Sequence, residues 1–373
     1  MVRVLELFAG IGACSKALTR LGIEHEIVDA VEIDKYAIQS FNAIHGTNFE
    51  PQDITQWDKD IKVDLIMHGS PCQDFSVAGL NKGGDKGSGT RSSLMYETLR
   101  IVEKLKPKYV IWENVKNLLS KKHRHNFDAY IEAMEKLGYH SQYQVLNAKN
   151  FGVPQNRERV FTVSIRNDLN VDFKFPESQT LNIRLKDVLE PQVDEKYYLS
   201  DEQTKRLKMT TYNSGSEKVR VQDTDGEART LCARDYIDPK CIREPREYED
   251  YSHTLRAGRS GLKVRTANKK GYDIATDGDG VDLSYPDSTT RRGRVGHGVS
   301  KTLMGTGSMG TVDNYRIRKL TPKECWRLMG FDDADFRKAE QVNSNTQLYK
   351  QAGNSIVVNV LEAILKNLLE EEE

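Results

Sequence analysis

The residues able to do chemistry in this sequence fall where hydrophobic runs stop. Cys72, in "LIMHGSPCQDFS", is a thiol beside a proline just past a strand-like run. The commonest fate of a free cysteine is as a small core hydrophobe. On a loop after a buried strand it is also a candidate nucleophile, because open α/β sheets gather ligand chemistry outside the carboxyl ends of their strands. A thiol attacks only as the thiolate, and the following "GLNKGGDKGSGTR" brings cationic residues and enough glycine to move as a lid. Glu113 closes a second strand-like run, "YVIWENV". In "FGVPQNRERVF", Gln155, Arg157 and Arg159 alternate, which points all three off one face of an extended segment. Two arginines there require anions or carboxylates, and a plain structural ion pair with Glu113 meets that requirement as well as a reacting anion does.

A further group suits a ligand rather than a reaction. "LELFAGIGACSKAL" sets Gly10 and Gly12 at a strand-to-helix turn, where a nucleotide-type ligand approaches the backbone closely. As a Gly-x-Gly-x-x-Gly fingerprint it is defective, since Ser15 stands where glycine or alanine belongs. Glu32 ends the next strand, the place of a carboxylate that bonds ribose hydroxyls, and Asp53 follows in "EPQDIT". The combination favours an adenosine-bearing cofactor. The broken fingerprint favours S-adenosylmethionine over a dinucleotide, since there is no pyrophosphate to cradle.

The elements that must position these residues are legible from periodicity. "RVLELFAG", "HEIVDAVEI", "VDLIMHGS" and "KYVIWENV" read as strands. They alternate with helical "ACSKALTRLG", "DKYAIQSFNAIHG" and "SSLMYETLRIVEKLKP". Helical "FDAYIEAMEKLGY" and strand-like "SQYQVLNA" and "RVFTVSIR" follow. That alternation predicts an α/β fold with a mostly parallel sheet covered by helices on both faces. After about residue 187 the chain turns rich in Gly, Asp, Arg and Thr, which suits a smaller irregular β-rich domain. Three Thr-Leu pairs recur there ("ARTLCARDY", "SHTLRAGRS", "SKTLMGTGS"), a repeat too short to separate from chance. Helical patterning returns at Thr321-Pro322, with proline at the first helical position. The last amphipathic helix is expected to pack back on the first domain.

Bulk composition narrows the class. The 373 residues suffice for one large or two ordinary domains, and 55 Lys+Arg balance 55 Asp+Glu. Residues 251 to 320 nevertheless carry 13 basic against 6 acidic residues, so an anionic partner of that region and a solvated loop are both open. Five cysteines without a Cys-x-x-Cys pair argue against a disulfide framework and a structural zinc. The N-terminus runs directly into a strand pattern, with no leader and no membrane-length apolar run. A cytoplasmic protein is expected, without a metal. "HRHN" at 123–126, lacking nearby carboxylates, reads as a solvated turn rather than a metal site.

Six motifs, "FAGIG", "GSPCQDFS", "ENV", "QNRER", "RKLTPKECWRLMGF" and "AGNSIVVNV", stand in the order and rough spacing of the bacterial and phage cytosine-C5 DNA methyltransferases. The chain resembles that family everywhere except about residues 188–315, where the family places its target-recognition region. The resemblance implies a Rossmann-like S-adenosylmethionine-dependent catalytic domain over 1–187 and 346–373, with a target-recognition domain and hinge over 188–345. It makes Cys72 the nucleophile that adds to C6 of cytosine. Glu113 becomes the group at N3, Arg159 the contact to O2, with Arg157 and Gln155 in support. For the cofactor it implies Phe8, Gly10, Gly12, Glu32, Ile33, Asp53, Ile54, Pro71 and Asn354. Some relatives have an aromatic residue where Ile33 stands, so adenine is expected to pack on an aliphatic side chain. Ser76, Arg256, Arg259, Arg291, Arg292 and Arg294 are the implied DNA contacts. A base inside a duplex must be flipped out to reach Cys72.

The implied activity is methylation of C5 of cytosine in a short double-stranded DNA site, by a monomer, with S-adenosylhomocysteine as product. Its setting would be restriction-modification, with a separately acting endonuclease, or phage and orphan protection. An RNA (tRNA) cytosine methyltransferase is the alternative within the same chemistry, although that branch has a much reduced recognition region. A catalytically inactive DNA-binding relative is another, against which the retained cysteine, glutamate and glycine loop stand. A nicotinamide dehydrogenase fails on the broken fingerprint.

Overall fold

The structure, a computed structural model, describes residues 1–71, 91–200, 221–222, 224–237, 239–245, 257–258, 261–265, 269, 272–275, 280–282, 295–296, 309–311 and 315–369. The chain forms two compact units. One comprises Met1–Val193, Gln222–Lys240 and Leu320–Glu373, and the other Asp194–Val221 and Cys241–Lys319. Among the described residues no helix is long and apolar enough to cross a membrane.

The first unit is built on a six-stranded sheet. Its strands are β1 (Val2–Leu7), β2 (His25–Val31), β3 (Leu65–His68), β4 (Tyr109–Val115), β5 (Tyr139–Asn147) and, after the two-residue β6 (Gln155–Asn156), β7 (Glu158–Arg166). Their spatial order is β2-β1-β3-β4-β7-β5. β1 pairs in parallel with β2 and β3, and β3 with β4, while β7 runs antiparallel to both β4 and β5. The sheet is thus α/β and mostly parallel on one side, with an antiparallel β5/β7 pair at the other. β3 and most of β4 are buried at every position, as expected of strands covered on both faces.

Glycine in the left-handed conformation stops the first helices. α1 (Ala13–Leu21) ends at Gly22 and α2 (Lys35–His45) at Gly46, while Asp34 caps α2 by accepting from the Tyr36 amide. α3 (Met95–Leu105) and α4 (Arg124–Lys136) cover β3 and β4. Ile101, Val102, Phe127, Tyr130 and Met134 join Ile66, Val110 and Trp112 in one core. Each such aromatic or branched side chain contributes about 1.5–3 kcal/mol by leaving water. The "HRHN" stretch is not a solvated turn: His123 and Asn126 are each 1% exposed, because the stretch opens α4 and its first turn packs inward.

The C-terminal helices are α5 (Pro322–Arg327), α6 (Asp333–Glu340), α7 (Asn345–Asn354) and α8 (Val358–Leu369). Thr321 and Glu324 form a reciprocal capping box with Pro322 at the first position, which explains the helix start read from sequence. α8 packs on α1, and Arg20 of α1 pairs with Glu362 of α8 at 3.2 Å.

The second unit holds short antiparallel strands. Cys241–Pro245 pairs with Tyr315–Lys319, Gly261–Arg265 with Tyr272–Ala275, and Gly280–Asp282 with Met309–Thr311. Arg318 is fully buried there, and its Nε donates to Glu244, whose other carboxylate oxygen accepts from the Tyr198 hydroxyl at 2.7 Å. The texture matches the small irregular β-rich domain expected. The first unit takes in 222–240 and 320–345 as well as the sheet.

Candidate active site

β1 is flanked by β2 on one side and β3 on the other, so the chain reverses its winding direction there, and the carboxyl ends of β1 and β3 open into a crevice. Phe8, Gly10, Glu6, Gly69, Glu113 and Asn354 are among the residues lining it, and its cavity volume is about 40 Å³. Phe8 has φ 53°, a left-handed conformation that a large side chain rarely adopts, and Gly10 follows at φ 57°. A Cβ at Gly10 would meet no atom within 4 Å, so the left-handed φ rather than crowding calls for glycine there.

Gly12 has a different job. A Cβ there would fall 2.2 Å from Nε2 of His45, and Gly12 is not among the crevice residues. His45 Nε2 donates to the Ile11 carbonyl at 3.3 Å, and burial lowers its pKa to about 4, so the ring stays neutral. Gly12 thus clears space for α2, while of the two glycines Gly10 is the one that lines the crevice.

Glu6 was not foreseen. It lies on β1, is 3% exposed, and accepts from the Ser15 amide at 2.9 Å and from the Ser15 hydroxyl. α1 has no side-chain cap at Gly12, so the Glu6 carboxylate serves the orphan amides of that helix from the neighbouring strand. The Glu6 carboxyl therefore already occupies the Ser15 amide in the first turn of α1. Burial raises the Glu6 carboxyl to about 7, and the Ser15 bonds hold it from rising further. The signal available in sequence was a lone acid inside a run buried on both faces, together with Ser15 in place of glycine.

Glu32 ends the β2 side of the same loop. Its carboxylate accepts from the Gly10 amide at 3.0 Å and the Asp34 amide at 2.8 Å, and burial raises its pKa. It therefore fixes the glycine loop directly. Asp53 is exposed, with Oδ1 accepting from both the amide and the hydroxyl of Thr55 at 2.9 Å. Ile54 is 5% exposed within the core, whereas Ile33 is 70% exposed. None of Glu32, Ile33, Asp53, Ile54 and Pro71 is among the residues lining the crevice.

The opposite wall belongs to β4 and β7. In that antiparallel pair Glu113 faces Phe161 and Val115 faces Arg159, so Glu113 and Arg159 are diagonal neighbours on one face. Arg159 Nε meets Glu113 Oε1 at 3.0 Å, with both side chains largely buried. The ion pair anticipated between these residues is present, and Glu113 still lines the crevice. Trp112 and Asn114 flank it. Trp112 Nε1 donates to Ser70 Oγ at 2.9 Å, and Asn114 Nδ2 lies 3.3 Å from both Ser70 O and Oγ. Ser70 is two residues before Cys72, so β4 fixes the entry to the Pro-Cys loop. Behind Trp112 stacks His68, with rings parallel at 5.7 Å; burial lowers its pKa to about 3. Cys72 and Ser76 lie outside the described residues, as do Arg256, Arg259, Arg291, Arg292 and Arg294.

Gln155 and Arg157 are buried away from Glu113. Gln155 Nε2 donates to the Leu328 carbonyl at 2.6 Å, and its Oε1 accepts from the Leu231 amide at 3.2 Å. Arg157 donates to the carbonyls of Leu231 (3.0 Å), Gly353 (3.3 Å) and Ser355 (2.8 Å). Asn354 lies between two of those carbonyls and lines the crevice. The three alternating residues thus divide: Arg159 faces Glu113, Arg157 fastens the end of α7 that presents Asn354, and Gln155 joins Leu231 to Leu328.

Comparison with known proteins bears on this arrangement. The profile of the C-5 cytosine-specific DNA methylases matches residues 2–370. The orphan methyltransferase M.SPBetaI of Bacillus phage SPbeta is 34% identical over 434 residues, covering 99% of this chain and 97% of that protein. The type II methyltransferase M.HhaI of Haemophilus parahaemolyticus is 32% identical over 370 residues, covering 98% and 94%. Among solved structures, the Entamoeba histolytica methyltransferase EhMeth superposes with a TM-score of 0.65 at 15% identity, covering 100% and 99%. A mutant of Spodoptera frugiperda DNMT2 gives 0.63 at 20% identity, covering 99% of each chain. These two share the fold.

Proposed function

The chain belongs to the C-5 cytosine-specific DNA methylases, and from that premise we propose that it methylates C5 of a flipped-out cytosine in a short double-stranded DNA site. The observation that carries this reading is the crevice itself. It sets a glycine loop, a carboxylate backed by an arginine, and the strand leading into Pro71-Cys72 around one opening. The residues present fit S-adenosylmethionine. Glu6 occupies the helix-terminal amide that a pyrophosphate would need and presents a carboxyl along the crevice wall. Gly10 lines the approach, and Asn354 closes the pocket from the far end of the sequence. When bound there, S-adenosylmethionine supplies the electrophilic methyl group.

The rest of the chemistry falls to this chain. Cytosine C5 is a poor nucleophile. Addition of the Cys72 thiolate to C6, with a proton placed at N3 by Glu113, gives C5 enamine character. Arg159 holds the Glu113 carboxylate in place and reaches toward O2. After C5 is methylated, loss of its proton and departure of the thiolate restore the aromatic ring and the nucleophile. Residues 1–187 and 346–373 carry this chemistry together with 222–240 and 320–345, which fold into the same unit, and the remainder of 188–345 reads the DNA. The enzyme works as a cytoplasmic monomer in restriction-modification or phage protection, with any endonuclease acting separately.

Transfer of labelled methyl groups to a panel of cytosine-containing duplexes and to tRNA tests the reading. Wild type is expected to label duplex DNA, and Cys72→Ser to label nothing. Bisulfite mapping of DNA from expressing cells then gives base and site. A wild type that labels no duplex, or labels only tRNA, overturns the proposal.

A further inference from the structure

The loop carrying Asp53 and Ile54 has almost no regular structure of its own; residues 51–60 contain only a turn at 54–56. Its order comes largely from one side chain on the neighbouring strand. Asp29, on β2 and 1% exposed, accepts from Gln52 Nε2 at 2.8 Å, Trp57 Nε1 at 2.8 Å, Lys59 Nζ at 2.7 Å and its neighbour's amide, Ala30 N, at 3.0 Å. A carboxylate offers about four lone-pair sites, and these donors fill them. Three of the four donors come from positions 52, 57 and 59, spanning the whole loop. The arrangement has a net charge of zero, since Lys59 offsets the buried carboxylate, and the donors hold Asp29 ionised with its pKa below the usual carboxylate range.

The loop is tied to the glycine turn at its start. Gln52 N donates to the Glu32 carbonyl at 2.8 Å, and the Glu32 carboxylate holds the Gly10 amide. Ile54 and Trp57 then enter the core beside Leu7 and Val31. Two holds come from α3: Arg100 Nη2 to the Ile54 carbonyl at 2.9 Å, and Lys104 Nζ to the Asp58 carbonyl at 2.9 Å and its Oδ1 at 2.7 Å. Asp29 alone reaches the loop from β2, at positions 52, 57 and 59.

We infer that Asp29 is a positioning residue for the cofactor: it pins at three points the Asp53–Ile54 loop, which the family resemblance assigns to the adenine end of the ligand and which connects through Gln52 and Glu32 to Gly10 of the crevice. The inference rests on the cofactor reading given above. Lys59 is half exposed, so it is the least of the three contacts, and Gln52 and Trp57 carry the geometry.

The experiment compares wild type with Asp29→Ala, Gln52→Leu and Lys59→Met by three measurements. These are S-adenosylhomocysteine binding by calorimetry, the kcat and KM values for methyl transfer, and hydrogen exchange at the Gln52, Gln56 and Trp57 amides. Asp29→Ala is expected to weaken S-adenosylhomocysteine binding and raise the cofactor KM about tenfold, as loss of bonds to a buried charge implies. Exchange at the three amides should rise, with kcat at saturating cofactor and KM for DNA within about twofold of wild type. If Asp29→Ala does not fold, Gln52→Leu carries the test and is expected to show about a threefold loss in the same direction. Lys59→Met should stay within twofold. Faster exchange with unchanged cofactor affinity overturns the inference, as does an equal fall in kcat and in affinity for both substrates. A wild type that binds no S-adenosylhomocysteine removes the cofactor reading and the inference together, an outcome distinct from failure of the variants alone.

Discussion

Glu6 is a charge placed where burial opposes it, and the consequence is a pH dependence. Its carboxyl is raised by desolvation to about 7 in the folded chain against 4.5 for the ordinary group. A raised folded value means stability that is complete below about 4.5 and lost as pH climbs through about 7. Glu6→Gln keeps an acceptor for Ser15 and removes the titration. Relative to this variant, wild type is expected to lose up to about 3 kcal/mol of unfolding free energy between pH 5 and pH 8, and parallel denaturant titrations of the two chains check it. Gly12 makes the other residue-scale prediction. With φ 80° and His45 Nε2 2.2 Å from where a Cβ would sit, Gly12→Ala should destabilise by about 2 kcal/mol or more while leaving the crevice lining intact. A denaturation midpoint equal to wild type would contradict the packing role. The sequence pattern located Gly10 and Gly12 at the turn, but their division of labour depends on α2, which no local spacing reveals. Glu6 was visible only as an acid in an apolar strand, and its partner only as a broken fingerprint.

At the scale of elements, the sheet was legible because strands buried on both faces leave long apolar runs, and because glycine or a capped residue ends each of the first helices. The exact company of the motif residues was less so. Alternation placed Gln155, Arg157 and Arg159 on one extended segment, yet their partners come from β4, from 231 and from 328–355, all distant in sequence. Arg157 is the seam among these elements: its guanidinium satisfies carbonyls of Leu231, Gly353 and Ser355 that would otherwise be buried without a donor. Arg157→Met should cost about 3 kcal/mol or more. Gly353→Ala strains the same seam from the other side, because its Cβ would lie 2.3 Å from the Cys232 backbone. Both variants are expected to weaken S-adenosylhomocysteine binding more than Gly12→Ala does, since Asn354 sits between the two carbonyls that Arg157 holds. Calorimetry on the three folded variants ranks them, and an affinity order that follows stability alone would refute the link to Asn354.

At the scale of the whole molecule, two demands conflict in a single core: a crevice lined by buried polar groups, and a sequence segment whose basic excess suits a polyanion. Net charge is zero over the chain, while residues 251–320 carry 13 basic against 6 acidic residues. The compact units follow the same division, with the short antiparallel strands of 241–319 apart from the sheet, its helices and the crevice. Composition changes near residue 187, while the first unit runs to residue 193 and takes in 222–240. No local composition reveals that return, which goes with the long-range hold of Gln155 and Arg157 on Leu231. If the second unit supplies phosphate contacts, the binding constant for duplex DNA falls with salt, and each contact contributes about 0.9 to the slope of log K against log salt. Replacing Arg291, Arg292 and Arg294 together by glutamine should then lower that slope by roughly 2 to 3. Affinity should drop for the methylated site and for unrelated duplexes alike, and S-adenosylhomocysteine binding should stay at the wild-type value. Fluorescence anisotropy over a range of salt concentrations reads all the DNA terms. A slope that does not move, with affinity lost for the methylated site only, would instead make these arginines base readers, because phosphate contacts position the protein without discriminating sequence.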